Sequence, residues 1–118
     1  MPDFNRTEYI TSYIKLCMRL AVRPFGGLLH DGDQFFFDGR CHVVHDGTQE
    51  LPLGAVWLPG IFDWLELLER TGHPAIAIEN VPDSGWYVYP IGNRDDHGSG
   101  ITREIALARL WSKVNKPT

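Results

Sequence analysis

The sequence predicts an α+β fold: a small antiparallel sheet of four to five strands with helices packed on both faces. Three observations carry that prediction. Three segments repeat apolar residues at helical spacing, three Asp-Gly pairs bracket short aromatic and β-branched runs, and AIAIEN and WYVYPI flank the turn sequence VPDSG. Their order reads α-β-β-(β)-α-β-β-α. Three helices cannot all pack on one face of so small a sheet, which places them on both. At 118 residues the chain is expected to form a single domain, 1–118.

In the first element, RTEYITSYIKLCMRLAV, Thr7 stands as a cap and Ile10, Tyr13, Ile14, Cys17, Leu20 and Ala21 recur at helical period. Arg19 and Arg23 suit a helix C-terminus, and Pro24, Gly26 and Gly27 end the pattern, so a helix is expected over 7–22. Asp31-Gly32, Asp38-Gly39 and Asp46-Gly47 follow. Asp-Gly tolerates the positive φ of the tight turns that match strand twist. With QFFF, RCHVVH and TQELPL around these pairs, a β-meander is expected over 34–53, its firmest hairpin at Asp38-Gly39.

Helical period returns in LPGIFDWLELLERTGH, expected as a helix over 60–71. Pro59 suits its start, Ile61, Trp64, Leu65 and Leu68 its buried stripe, Asp63, Glu66, Glu69 and Arg70 its opposite face, and Gly72 its end. A hairpin is expected over 75–91, with Trp86 and Val88 on one face and Tyr87 and Tyr89 on the other. With helices on both faces these aromatics belong to the core; an uncovered face would make them a binding surface. The last helix, over 102–115, takes Thr102 as its cap, Ile105, Leu110, Trp111 and Val114 as core, and Lys113 and Lys116 at its end.

Hydrophobic residues make up 43% and charged residues 22%, ordinary globular usage. Fifteen acidic against eleven basic residues give a net charge of −4, which argues against general nucleic-acid binding. Cys17 and Cys41 form no CxxC and imply no disulfide framework, no signal peptide is evident, and no apolar run reaches the roughly 18 residues of a membrane span. A soluble cytoplasmic protein is expected.

The chemistry-bearing residues do not converge on a recognised motif. His42 and His45, three apart in a strand, point to opposite faces and cannot share an ion. His30-Asp31-Gly32-Asp33 starts like a calcium loop, but Phe35 stands where an oxygen ligand is needed and no Glu closes the loop, so a turn is expected. Cys41 and His42 face opposite ways as strand neighbours, and His45 lies about 13 Å along the strand from Cys41. No metal or cofactor is expected. The densest ionisable cluster is Arg94, Asp95, Asp96 and His97, next to Asn93 and bounded by Gly92, Gly98 and Gly100. Glycines imply a mobile loop, which preorganises catalysis poorly, so residues Asn93 to His97 are expected to bind rather than catalyse.

An amphipathic helix carrying a Trp, then AIAIEN, GWYVYPI, a loop with Gly and Asp, and T-REIALARLW resemble small phage and prophage proteins with a phage ABA-sandwich type domain. The matching features fall on Gly85–Ile91, Gly92–Gly100 and Thr102–Val114, within about residues 56–115. The first half departs from that pattern: no Trp precedes Trp57, and the Asp-Gly meander is inserted. The resemblance implies a helix–sheet–helix sandwich and brings no catalytic residues with it.

Small size, an acidic balance, no catalytic constellation and this resemblance together give the functional expectation. It is a phage-encoded accessory protein, not an enzyme, that binds another protein, inhibiting a host defence complex as anti-CRISPR proteins do. Two alternatives stand beside it. One is a small hydrolase or nucleotide-binding protein using His42 or His45 with Asp95, Asp96 or His97; the other is an immunity-type protein that binds a toxin. An exposed edge strand of the meander offers a route to a homodimer.

Overall fold

A computed structural model of the chain describes residues 6–115, with side chains from residue 10 onward. The chain forms two compact units, Met1–Pro59 and Gly60–Thr118.

The first unit opens with α1, Arg6–Leu20. Tyr13, Ile14, Leu16 and Cys17 are its buried residues, and it packs on β5, Val56–Leu58, while the Tyr13 hydroxyl donates to the Pro59 carbonyl. Leu16 widens the expected stripe. Ala21, expected on that stripe, is instead exposed at φ 52, in the left-handed region just past the helix. The helix stops at Leu20, short of 22, because Ala21 leaves helical backbone at φ 52. The side chain of Thr7, the expected cap, and residue Lys116, the expected closing cation of the last helix, lie outside what the structure describes.

The strands of this unit are β1 (Leu28–His30), β2 (Gln34–Phe37), β3 (Arg40–Val43), β4 (Thr48–Glu50) and β5. Asp38 and Gly39 take φ 53 and 77, the paired positive values of a two-residue hairpin turn, and set the register Gln34↔Val43 to Phe37↔Arg40. The expected meander over 34–53 holds only in this hairpin. β4 pairs with β1 (Leu28↔Glu50), and the free side of β2 is taken by β5 (Phe35↔Trp57). The positive φ of Asp46 and Gly47 turns the chain away from β3, and β4, exposed along its length, joins by backbone pairing alone. Leu29, Phe35, Trp57 and Leu58, with Val44 just past β3, supply the strand side of the core.

The second unit begins with α2, Ile61–Arg70. Gly60 is its N-cap, and the Gly60 amide donates to Asp63 Oδ2 at 2.9 Å, so Asp63, expected only on the outer face, closes the first turn. β6 (Ile76–Val81) and β7 (Gly85–Pro90) pair from Ile76↔Pro90 to Val81↔Gly85, with Asp83 in the turn at φ 66 and Gly85 opening β7 at φ 96. β8, Gly98–Gly100, adds to β7 through Val88↔Gly98 and Trp86↔Gly100. Then α3, Arg103–Val114, starts at its expected cap: the Ile105 amide donates to Thr102 Oγ1 at 3.3 Å.

In this unit α3 lies on the Val88 face of the sheet and packs against α2, with Trp64, Leu68, Val88, Leu107 and Leu110 fully buried. The Trp64 and Trp111 rings meet at 5.8 Å. The fold class is α+β with every strand pair antiparallel, and among the described residues eight strands divide into sheets of two, three and three strands. The expected four or five strands become eight because β1, β5 and β8, only three residues long, carry too little alternation to register as strands. Among the described residues, no helix is long and apolar enough to cross a membrane.

Candidate binding face on the second unit

Alternation along β7 sends Val88 toward α3 and turns Tyr87 and Tyr89 to the opposite face, with Glu79 of β6 directly across from Tyr87. The Tyr89 hydroxyl donates to Glu79 Oε1 at 2.6 Å, and the two tyrosine rings are tilted against each other at 5.8 Å. This hydrogen bond, followed by partial burial, holds the Tyr89 phenol above its ordinary value of 10.0, the positive charge of Arg94 working the other way.

The chain leaves β7 at Pro90, turns at Gly92 with φ 94, and folds the next five residues back toward that face. The Arg94 guanidinium lies 4.7 Å from the Tyr89 ring centroid, and its Nη2 is 3.5 Å from Glu79 Oε2. The His97 imidazole stacks on Tyr87 at 4.6 Å, the planes 22° apart. Its Nδ1 is buried without a hydrogen-bond partner among the described residues. Asn93 braces the loop from within: its Nδ2 donates to Asp96 Oδ2 at 3.0 Å, and its Oδ1 accepts the Asp95 amide at 3.2 Å. From the helix side, Lys113 Nζ donates to the His97 carbonyl at 2.5 Å and Arg109 Nη1 to the Ser99 carbonyl at 2.8 Å.

Gly98 and Gly100 have a different role from the expected one. A Cβ on Gly98 would stand 2.1 Å from the Ala106 carbonyl oxygen and 2.6 Å from the Leu110 amide nitrogen. On Gly100 it would meet the Ile105 side chain at 2.6 Å. These glycines let α3 lie directly on β8, so the loop ends at His97 and a packed strand follows it. The expected mobile stretch 92–100 is therefore a braced loop, 92–97, joined to a strand.

All five expected binding residues lie in this loop. Arg94 and His97 reach the tyrosine face, Asn93 and Asp96 hydrogen-bond each other, and Asp95 is exposed. Sequence reasoning missed Glu79 and Lys113, which meet the loop across 15 and 16 residues of separation, and Arg109, which meets the following strand across 10. It did separate Tyr87 and Tyr89 from Val88 through the period-two alternation, the one signal available for this face.

The other chemistry-bearing residues belong to the first unit. His42 stacks on its cross-strand partner Phe35 at 5.1 Å. His42 Nε2 is 3.2 Å from the Phe37 carbonyl, which only accepts, so Nε2 carries the hydrogen there. His45 and Cys41 are exposed. In the segment read as a turn, Asp33 Oδ2 accepts the His30 amide at 2.7 Å and Asp31 Oδ1 the Asp46 amide at 3.0 Å, so both carboxylates serve backbone donors. Among the described residues, no three His, Cys, Asp or Glu side chains gather as a metal site.

The tyrosine face presents rings, a guanidinium and carboxylates already held in contact with one another, an arrangement suited to non-covalent recognition. Comparison of the chain with protein-family models, with curated proteins and with solved structures finds no match.

Proposed function

We propose that the chain is a binding protein rather than an enzyme, and that the face formed by Tyr87, Tyr89, Glu79 and the 93–97 loop receives another protein. One observation carries the reading: each tyrosine on the face opposite α3 bears a loop residue stacked on it, Arg94 on Tyr89 and His97 on Tyr87. Tyr and Arg dominate the energetics of protein interfaces. A guanidinium already oriented by a ring and a carboxylate loses less side-chain freedom on docking than a free one. Asp95 and Asp96 at the rim give the face acidic character, which steers a basic partner.

The resemblance of residues 56–115 to phage sandwich domains supplies the setting: a phage-encoded accessory protein in the host cytoplasm, with a host defence complex as partner. Affinity capture from host cells with mass spectrometry tests this. Arg94→Ala and Tyr87→Ala are expected to weaken capture by about tenfold or more. Undiminished capture by both variants would remove the face from the model, and unchanged capture by Asp95→Ala/Asp96→Ala would remove the rim carboxylates.

A further inference from the structure

The sheet of the second unit ends at β6: its strand order is β6-β7-β8, and at six residues β6 is the longest edge among the described strands. Its ladder with β7 determines which backbone groups are left over. The Ile91 amide donates to the Ala75 carbonyl at 2.9 Å, so the hydrogen-bonded positions alternate from there through Ala77, Glu79 and Val81. The amides and carbonyls of Ile76, Ile78 and Asn80 point the other way, and none has a hydrogen-bond partner among the described residues. Pro74 and Pro82 stand two positions beyond Ile76 and Asn80, and neither has an amide hydrogen. The usable edge is thus a short run centred on Ile78 and closed by a proline at each end.

Native edges are commonly guarded by a lysine, a bulge or an inward-pointing charge. In β6 the residues pair one to one with β7, and the single charge, Glu79, is held by the Tyr89 hydroxyl and by Arg94. The open run is also complementary to itself. Laid antiparallel to a second copy with Ile78 opposite Ile78, it sets Ile76 against Asn80, and every free amide and carbonyl finds its counterpart. Sliding to the next hydrogen-bonding register sets Asn80 against Pro74, or Ile76 against Pro82, where a donor is missing. The side chains favour the same register. Glu79 comes opposite Ala77 of the second copy, so no like charges meet. Ala77 carries only a methyl group, and its β7 neighbour is Tyr89, with Arg94 over the ring. Glu79 of each chain therefore looks across that methyl toward Arg94 of the other, two strand spacings or about 10 Å away. On the opposite face the half-buried Ile78 side chains meet.

We propose that β6 pairs with β6 of a second copy of this chain about a two-fold axis at Ile78, which joins the two sheets and makes one continuous tyrosine face. Few side chains take part, so the dimer is a weak, reversible one.

Sedimentation equilibrium of the full chain between about 1 μM and 1 mM tests the proposal. A monomer–dimer equilibrium is expected, shifting toward monomer as salt is raised. Ala77→Glu sets like charges opposite one another and is expected to weaken the dimer about tenfold or more, whereas Ala77→Lys, equally long at the same position, is expected to retain it. In a Cys41→Ser background, Ile78→Cys is expected to give a disulfide-linked dimer on oxidation, because Cα atoms paired at about 5.5 Å allow the bond. Val81→Cys is expected to give none, since the two copies of residue 81 lie about 20 Å apart along the strands. A chain that stays monomeric throughout would overturn the proposal and leave the edge to a foreign strand. Equal dimer strength in Ala77→Glu and Ala77→Lys, or linkage at 81 as ready as at 78, would overturn it as well. No foreign partner enters these measurements, so the dimer and the reading of the tyrosine face stand or fall separately.

Discussion

The Arg94 guanidinium stands 4.7 Å from the centroid of the Tyr89 ring, while the hydroxyl of that same ring donates to Glu79. One tyrosine thus ties the loop to the neighbouring strand: its face holds the cation and its edge holds the anion.

The phenol of Tyr89 is expected to titrate above its ordinary value of 10.0, because ionising it sets a second negative charge against Glu79 and breaks the hydrogen bond. A folded-state value raised above the unfolded one gives a stability contribution that is present below about pH 10 and is lost as pH rises through the folded value. Ring-carbon NMR titration of tyrosine reads this directly. Glu79→Gln should bring the Tyr89 midpoint down, and an unchanged midpoint would show that Glu79 is not its cause.

Gly98 and Gly92 are both glycines of one segment, yet their substitution by Ala should cost unequal amounts for different reasons. At Gly98 the added carbon meets backbone of α3 at 2.1 Å, which no rotamer relieves, so a loss of about 3 kcal/mol is expected. At Gly92 nothing lies within 4 Å, and only the positive φ of 94 is strained, so about 1 kcal/mol is expected. Urea unfolding of the two variants gives the comparison; equal losses would contradict the close approach of α3 to β8.

Ala21 sits just past α1 at φ 52, a region that suits glycine better than any residue with a Cβ. Its amide still donates to the Cys17 carbonyl at 2.9 Å, so the backbone arrangement is already that of a helix stop. Ala21→Gly is expected to raise stability by about 0.5–1 kcal/mol, read as a higher urea midpoint. A lower midpoint would place the cost of chain freedom above the relief of strain.

The two thiols should differ sharply in reactivity. Burial pushes the Cys17 thiol up to about 12, its hydrogen bond with Tyr13 only partly offsetting this, whereas Cys41 is exposed. A thiol-specific reagent at mildly alkaline pH should therefore label Cys41 alone in the folded protein and both cysteines after unfolding. Labelling of Cys17 at a comparable rate would show that α1 opens readily. The contribution of Cys17 to stability is present below about pH 9 and is lost as pH rises through about 12.

Elements closed by their own turn were legible in the sequence. Asp38-Gly39 and Val81–Gly85 each bring together strands that differ by a few positions, so residue type alone determines the pairing. Pairing of Leu28 with Glu50, or of Phe35 with Trp57, joins segments about twenty residues apart, and no local pattern specifies it. The glycines of β8 were misread because a small residue signals either freedom or close packing, and only the position of α3 decides which. Residues 93–97 announced themselves by density of ionisable groups. Their seating on Tyr87 and Tyr89 did not, since it depends on how Gly92 redirects the chain.

The short strand β8 has a consequence for how this protein tolerates variation. Residues 93–97 project from a frame whose spacing at Gly98 is set by backbone touching backbone, with the Ile105 side chain seated against Gly100 beside it. The close contact of Gly98 and Gly100 with α3 uses none of the 93–97 side chains, while one methyl group at the very next position breaks it. Substitution over 93–97 loosens the loop's own hydrogen bonds and ring contacts, whereas substitution at Gly98 parts helix from strand, and the boundary between these two kinds of damage is a single peptide bond, His97–Gly98.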